Sequence, residues 1–321
     1  MKRKKIVSLL TAVMLTAVTL SGCGETYEKG SKNYNITLIT MDQMDTYWVS
    51  MDSGAKDAIA ELEEDGYTIN YNWYAPDTKD NAKQIEQIDM AASNRSNVIM
   101  IAVNDPTACN AALKEVDEDG TNIIYVDAAA TYPGMATFST DNYLAGEQAG
   151  EEMIRILSEA GITEGQIGIV SAQNGVESCM NRIEGFCHAL EGTGYEPSEV
   201  QYSEGDTSKA QEMGTNMINN GAVALFGVTG QASVGCGNAA RDAKDKIYCV
   251  GFDSSSAVLS LVANGAIQSL IAQDPYQMGY QAMKAAVNAM DGENLDGKVH
   301  DIPVTVVTPE NVEEFQEQYS Y

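Results

Sequence analysis

Short apolar runs that are rich in β-branched side chains alternate along the chain with longer amphipathic stretches. The first apolar run covers residues 36–40, and a stretch with helical spacing follows at residues 49–62. Strands that are apolar throughout, rather than at every second residue, are typical of parallel sheets with helices on both faces. We therefore expect an α/β fold of doubly wound sheets. The other predicted strands cover residues 69–74, 98–103, 123–127, 166–170, 222–227, 247–252 and 270–272.

The alternation starts again after Asp141 and Asn142, which predicts a second sheet. About 290 residues remain beyond the N-terminal segment described next, and a core of that size usually divides in two. Asp105, followed by Pro106 and Thr107, predicts a helix N-cap with proline in the first turn. Further helices are expected after Thr78 and near Glu177, Ser208 and Gln231.

The N-terminus has the composition of a secretory signal peptide. Positions 2–5 are basic, and the uncharged residues 6–20 are too few to span a bilayer comfortably. The following Leu20-Ser21-Gly22-Cys23 resembles the lipobox of bacterial lipoproteins, in which the cysteine is acylated after cleavage. We therefore expect a signal peptide at residues 1–22, a lipid on Cys23 and a flexible tether at residues 23–33. Such a protein is exported and anchored to the outer face of the bacterial cytoplasmic membrane. The alternative is an ordinary signal peptide with a chance cysteine.

Charge and cysteine content argue against several functional classes. The net charge of −27 repels phosphate backbones, so we expect no nucleic-acid partner. The five cysteines after Cys23 lack the close pairs of a zinc or redox site. Residues 291–297 are acidic but lack EF-hand spacing, so a surface turn is expected there instead of a calcium site. No phosphate loop, dinucleotide fingerprint or nucleophile elbow occurs, and we expect neither a cofactor nor a metal.

Polar and aromatic side chains follow the predicted strands at their carboxyl ends. Ligands of open parallel sheets bind at that edge, and two sheets that face each other share one cleft. Carboxylates and amides pair with ligand hydroxyls, and an aromatic face covers the C–H face of a sugar ring. The sequence therefore predicts a carbohydrate pocket. The residues at these ends are Asp42, Asp45, Tyr47, Trp48, Asn104, Asp105, Asp127, Asp253, Gln273 and Asp274.

Several segments in this order resemble the periplasmic binding proteins of the ribose and galactose type, relatives of the ligand domain of lactose-repressor-like regulators. The more specific ones are Arg-x-x-Gly-Phe at residues 182–186 and Val-Gly-Phe-Asp at residues 250–253. The others are residues 40–51, 125–127, 140–142 before Gly146, and 271–275. The resemblance covers essentially all of the mature chain.

This resemblance implies two Rossmann-like lobes joined by a hinge of three crossovers, in a monomeric protein. The N-terminal lobe would hold residues 34–140 plus 274–301. The C-terminal lobe would hold residues 141–273 plus 302–321.

The resemblance also implies roles for single residues. Tyr47 and Trp48 would stack on the sugar, while Asp127 and Arg182 would clamp hydroxyls from opposite lobes. Asp253 and Gln273 would complete the polar set.

The chain departs from the family pattern at several of these positions. Asp45 stands where ribose-type proteins hold an amide, and Ala128 follows Asp127 where the family usually has arginine. Ala102 and Thr229 stand where amides are common. Arg182 is then the one evident cation against several carboxylates, which suits a neutral polyol better than an anion.

Each of these residues has a structural alternative. Asp253 could cap the helix that begins after it. Tyr47 and Trp48 could be core residues of the first helix, and Arg182 could lie on a helix surface. Asp141 and Asn142 are expected in the crossover between lobes instead of the pocket.

The leading interpretation is a transport receptor, not an enzyme. Its lobes close on a small sugar or polyol, and the membrane permease of an ABC transporter recognises the closed form. The alternative is a sensor of the same fold coupled to a chemoreceptor or histidine kinase, and a remote one is a carbohydrate-active enzyme. On the leading interpretation, Asp127→Ala or Arg182→Ala weakens ligand binding by more than about tenfold and leaves thermal stability nearly intact.

Overall fold

The computed structural model describes residues 32–319. The predicted signal peptide, the predicted lipidation site Cys23 and nearly all of the predicted tether lie outside the described residues. Asn33, placed at the end of the tether from sequence, opens the first strand.

Strands and helices alternate along the described chain. The strands are β1 (Asn33–Ile39), β2 (Thr68–Tyr74), β3 (Val98–Ile101), β4 (Asn122–Val126), β5 (Ala136–Ser139), β6 (Gly165–Ser171), β7 (Tyr195–Pro197), β8 (Gln201–Tyr202), β9 (Ala224–Gly227), β10 (Tyr248–Phe252), β11 (Ser269–Ala272), β12 (Lys298–Asp301) and β13 (Thr305–Val307). The helices are α1 (Thr46–Glu64), α2 (Asn81–Ser93), α3 (Asn110–Glu118), α4 (Asn142–Glu159), α5 (Glu177–Leu190), α6 (Thr207–Asn219), α7 (Gly230–Asp242), α8 (Ser256–Ala263), α9 (Pro275–Met290) and α10 (Val312–Tyr319).

Two sheets carry the fold. The first has the strand order β12-β5-β4-β3-β1-β2, and each neighbouring pair is parallel. The second has the order β13-β11-β10-β9-β6-β7, with β8 also paired to β6. Its pairs are parallel except that β13 runs antiparallel to β11. The α/β architecture of two doubly wound sheets predicted from the sequence is confirmed.

Both faces of each sheet are covered at its centre, which explains why the central strands are apolar throughout. In β3, Val98 and Met100 pack into one hydrophobic cluster, whereas Ile99 and Ile101 pack into another. Successive side chains of a strand point to opposite faces, so a strand buried on both sides has no polar positions. In the second sheet, Ile271 of β11 likewise packs into a different cluster from its neighbours.

The chain passes between the sheets three times, between β5 and α4, between β11 and α9, and between β12 and β13. The first and third passages are hydrogen-bonded to each other. The amide of Asp141 donates to Oδ1 of Asp301 at 2.8 Å. The amide of Ile302 donates to the carbonyl of Ser139 at 2.9 Å. These bonds hold two of the connecting segments side by side.

Glycines allow two helix pairs to approach closely. In the α1–α9 pair, a Cβ at Gly54 would overlap the carbonyl of Tyr276. In the α4–α5 pair, a Cβ at Gly146 would overlap the carbonyl of Arg182, and one at Gly185 would overlap that of Tyr143. The close contact between α4 and α5 therefore sets the position of Arg182.

The helix predicted to start at Asp105 begins later, at Asn110. The Asp105 carboxylate does accept hydrogen bonds from the amides of Thr107 and Ala108, but they close a turn and not a helix. The carbonyl of Pro106 bonds Thr131 from another part of the chain. Because that carbonyl is bonded to Thr131, it does not accept a helical hydrogen bond from the amide four residues later. The predicted starts near Glu177, Ser208 and Gln231 agree with α5, α6 and α7.

Residues 291–297 form turns and irregular chain. Across residues 32–319, no group of three or more His, Cys, Asp or Glu side chains is arranged to hold a metal ion. Within the same residues, no helix has the length and apolar character needed to cross a membrane.

Candidate ligand-binding site

Asp127 and Asp253 occupy matching places at the carboxyl ends of the two sheets. Asp127 follows β4 and Asp253 follows β10. In each sheet this is the third strand, counted from β12 in the first sheet and from β13 in the second. Both residues have left-handed backbone conformations, with φ of 59° and 63°. Aspartate tolerates this region better than most residues. The sharp turn after each strand therefore holds a carboxylate at the sheet edge.

A chain of polar contacts runs between these two carboxylates. The hydroxyl of Tyr47, on α1, donates to Oδ1 of Asp127 at 2.7 Å and lies 3.5 Å from Oε1 of Gln273. The amide nitrogen of Gln273 donates to Oδ1 of Asp253 at 2.8 Å. This series of contacts begins at the first sheet, with Asp127, and ends at the second, with Asp253. We call Tyr47, Asp127, Gln273, Asp253 and Arg182 the polar network.

Arg182 is buried, with 5% of its surface exposed, and it is bound from several sides. Its Nε donates to Oδ1 of Asn142 at 2.8 Å, and Nη1 donates to the carbonyl of Val228 at 3.1 Å. The guanidinium lies 3.8 Å from the centre of the Phe252 ring. Nη1 also lies 3.8 Å from Oδ1 of Asp253. The alternative that Arg182 is a surface helix residue is wrong.

Asp253 does not cap the helix that follows it. That cap is Ser255, whose hydroxyl accepts from the amide of Val258. Oδ2 of Asp253 instead accepts from the amide of Gly230 at 3.1 Å, at the start of α7. The carboxylate is therefore held by the backbone amide at the start of α7 and by the amide side chain of Gln273.

The electrostatics of the network follow from burial. Desolvation raises the pKa of Asp127, and the Tyr47 hydrogen bond and the nearby Arg182 partly oppose that rise. Burial and then the Asp127 charge raise the pKa of Tyr47 well above its usual value, so its hydroxyl stays protonated and donates. Two carboxylates and one guanidinium leave an excess of negative charge.

Four of the residues predicted to bind ligand lie outside these contacts. Asp45 is exposed and caps α1, accepting from the amide of Tyr47. Trp48 is 3% exposed and packs in the hydrophobic cluster of the first sheet, with its ring edge-on to Tyr47. Its indole Nε1 is buried and finds no hydrogen-bond partner within residues 32–319.

Asn104 and Thr229 each have buried polar side-chain atoms that find no hydrogen-bond partner within residues 32–319. Asn104 follows β3 and Thr229 follows β9, so both lie at carboxyl ends of strands. A buried polar group without a partner costs about 1–3 kcal/mol. Both side chains are therefore suited to a polar ligand at this edge.

Sequence reasoning missed Asn142 and the backbone groups of Val228 and Gly230 as parts of the site. The sequence places Asn142 in the crossover instead of the pocket, yet its side chain holds Arg182. The available signal was its place in the 140–142 segment, one helical turn before Gly146. The backbone contacts have no signal in the sequence.

A separate groove of about 340 Å³ lies between α9 and β12, lined by residues such as Tyr280, Lys284 and His300. It contains no member of the polar network. We therefore place the candidate site at the strand ends and not in this groove.

Comparisons with known proteins agree with this architecture. The family model described as periplasmic binding protein domain matches residues 36–294. The Ribose import binding protein RbsB of Escherichia coli (strain K12) is 24% identical over 304 residues, covering 93% of this chain and 96% of that protein.

Solved structures show the same fold. A sugar-binding protein of a sugar ABC transporter from Bacillus halodurans has a TM-score of 0.79 and 23% identity, covering 88% of this chain and 99% of that one. A carbohydrate transporter solute binding protein from Agrobacterium radiobacter, in complex with D-arabinose, has a TM-score of 0.75 and 26% identity. It covers 89% of this chain and 98% of that one. The chain belongs to the family of proteins with a periplasmic binding protein domain.

Proposed function

We propose that this protein is an extracytoplasmic substrate-binding lipoprotein that captures a small neutral sugar between its two sheets and delivers it to an ABC permease. The observation that carries the proposal is the polar network, which joins carboxylates from both sheets through Tyr47 and Gln273. A ligand held by groups of both lobes stabilises the closed form by its differential affinity. The proposed lobes are residues 34–140 plus 274–301 and residues 141–273 plus 302–321.

The charges favour a neutral ligand rich in hydroxyl groups. Asp127 and Asp253 accept hydrogen bonds from hydroxyls, whereas the guanidinium of Arg182 is largely engaged by Asn142, Val228 and Phe252. A carboxylate or phosphate on the ligand would meet two carboxylates with little cationic compensation. The proposed ligand-binding residues are Asp45, Tyr47, Trp48, Asn104, Asp127, Arg182, Thr229, Asp253 and Gln273.

Two of the relatives support a sugar as the ligand class, since one is named a ribose import binding protein and another was solved with D-arabinose. Membership of a family of binding proteins also fits a non-enzymatic role. The lipid anchor rests on the sequence of residues 20–23.

A thermal-shift screen of residues 24–321 tests the ligand. Neutral pentoses, hexoses and polyols are compared with uronic acids and sugar phosphates of the same carbon number. A neutral sugar at about 100 times its Kd adds about 2.7 kcal/mol of stability, which raises the unfolding midpoint by several degrees. A response to no carbohydrate, or to the anionic members alone, contradicts the proposal.

Delivery and anchoring are tested in cells. Loss of the gene should abolish uptake of the identified sugar, and Cys23→Ser should release the protein from the membrane fraction. If the purified protein binds the sugar but cells that lack the gene still take it up normally, the sensor alternative is favoured instead.

A further inference from the structure

Asn142, the first residue of α4, lies between the passage that joins the sheets and the guanidinium of Arg182. Its amide oxygen accepts from Nε of Arg182 at 2.8 Å. Its amide nitrogen donates to the carbonyl of Thr140 at 3.2 Å. Thr140 directly follows β5, at the first passage between the sheets. One side chain thus bonds the hinge backbone and the proposed ligand clamp at once.

Neighbouring contacts fix both ends of this connection. At the hinge end, Asp141 is bound to Asp301 of the third passage. At the other end, Gly146 lies one helical turn after Asn142 on the same face of α4. Because it has no side chain, the backbone carbonyl of Arg182 packs closely against it. The position of α4 therefore brings the amide of Asn142 to Nε of Arg182.

The orientation of Arg182 matters because its guanidinium is planar and its donors point in fixed directions. Asn142 takes Nε and the carbonyl of Val228 takes Nη1, while Phe252 covers one face. Without the bond to Nε, the guanidinium plane is free to rotate about the Val228 bond, and the directions of its other donors change.

We infer that Asn142 is a positioning residue that orients Arg182 from the first passage between the sheets. This inference rests on the proposed ligand-binding role of Arg182. Asn142 itself need not touch the sugar.

Two variants separate the two bonds of Asn142, and a third serves as the control. Asn142→Ala removes both of them. Asn142→Asp keeps an acceptor for Nε but loses the donor to Thr140. Asn110→Ala is the matched control, because Asn110 is likewise the first residue of a helix and bonds Thr131, outside the polar network.

The first readout needs no ligand. The described chain has few arginines, namely Arg95, Arg155, Arg182 and Arg241, so the Nε–H signals are resolvable by NMR. In Asn142→Ala, we expect the Arg182 Nε–H signal to shift and its hydrogen exchange to accelerate by on the order of tenfold. Asn142→Asp should retain the slow exchange, and Asn110→Ala should match wild type. An unchanged signal in Asn142→Ala overturns the inference.

The second readout is the Kd for whichever of D-ribose, D-arabinose or D-galactose stabilises the protein. Asn142→Ala should raise that Kd by on the order of tenfold, and Asn142→Asp should recover most of the loss. The effect of Asn142→Ala should vanish when Arg182 is already replaced by Lys. An equal loss in that background overturns the inference, because Asn142 would then act independently of Arg182. If none of these sugars binds, the Nε–H measurement still decides the role of Asn142.

Discussion

The substitution Asp127→Asn separates what the carboxylate does for folding from what it does for binding. The side chain keeps its shape, and asparagine tolerates the left-handed conformation at φ 59° as well as aspartate does. Tyr47 can still donate to the remaining side-chain oxygen. The change therefore removes the charge and little else.

Ligand binding is expected to weaken markedly. A hydrogen bond from a sugar hydroxyl to a desolvated carboxylate contributes about 1.5–3 kcal/mol, against about 0.5–1.5 kcal/mol for a neutral acceptor. The loss of about 1–2 kcal/mol corresponds to a rise in Kd of roughly 5- to 30-fold. The variant amide also presents a donor where the second carboxylate oxygen accepts, which adds to the loss when two hydroxyls are bound.

Folding stability is expected to change in the opposite direction or not at all. Burial raises the folded-state pKa of Asp127 above its unfolded value of about 3.9. Its contribution to stability is therefore complete below about pH 4 and is lost as pH rises through the raised folded pKa. Asparagine has no such dependence. The unfolding midpoint of the variant minus that of wild type should become more positive as pH rises from about 4.

The assay combines calorimetric titration with the identified sugar and thermal unfolding from pH 4 to 8. Asp296→Asn is the control, because Asp296 is exposed and also left-handed, at φ 57°, in a surface turn. It should alter neither Kd nor the pH trend. A midpoint for Asp127→Asn that falls by more than about 5 °C at pH 7, or an unchanged Kd, refutes the reasoning.

Three further predictions follow from burial. Gly146→Ala should lower the unfolding midpoint by several degrees and weaken sugar binding, because the new Cβ pushes α4 from the carbonyl of Arg182; thermal unfolding and titration check both. Arg182→Ala should lower the free energy of unfolding, measured in urea, by about 2–4 kcal/mol, because it leaves the Val228 carbonyl unpaired and removes packing on Phe252. This revises the sequence-based expectation of intact stability. Burial raises the pKa of Cys236 to about 12, so alkylation at pH 8, followed by mass spectrometry, should label it only after unfolding.

Each of these has a distinct contrary outcome. A Gly146→Ala protein with wild-type stability would mean that α4 and α5 can separate without cost. Wild-type urea stability in Arg182→Ala would mean that its contacts contribute little to the fold. Rapid labelling of Cys236 in the folded protein would show that the cluster around it opens readily.

The polar network was only partly predictable. The strand-end rule located Asp127, Asp253 and Gln273 because a polar residue directly after an apolar run is visible in the sequence, and Tyr47 followed the first run at a greater distance, on α1. Arg182 came from resemblance, and its burial is a result of the close α4–α5 packing. Spacing along the chain carries no information about which helix face meets which neighbour.

The sequence by itself determined the architecture of this protein. Two series of apolar runs divided by amphipathic stretches require parallel sheets covered on both faces, because an apolar residue at every strand position must be buried on either side. The short strands β5, β7, β8, β12 and β13 escaped prediction. For example, β12 (Lys-Val-His-Asp) has no apolar run and is held by backbone pairing at the end of its sheet. Only the tertiary structure decided that Asn142 holds Arg182, that Asp253 bonds Gly230 and that Trp48 packs in the hydrophobic cluster of the first sheet. These contacts join residues far apart in the chain, and their geometry depends on how closely the helices pack and where the strands end.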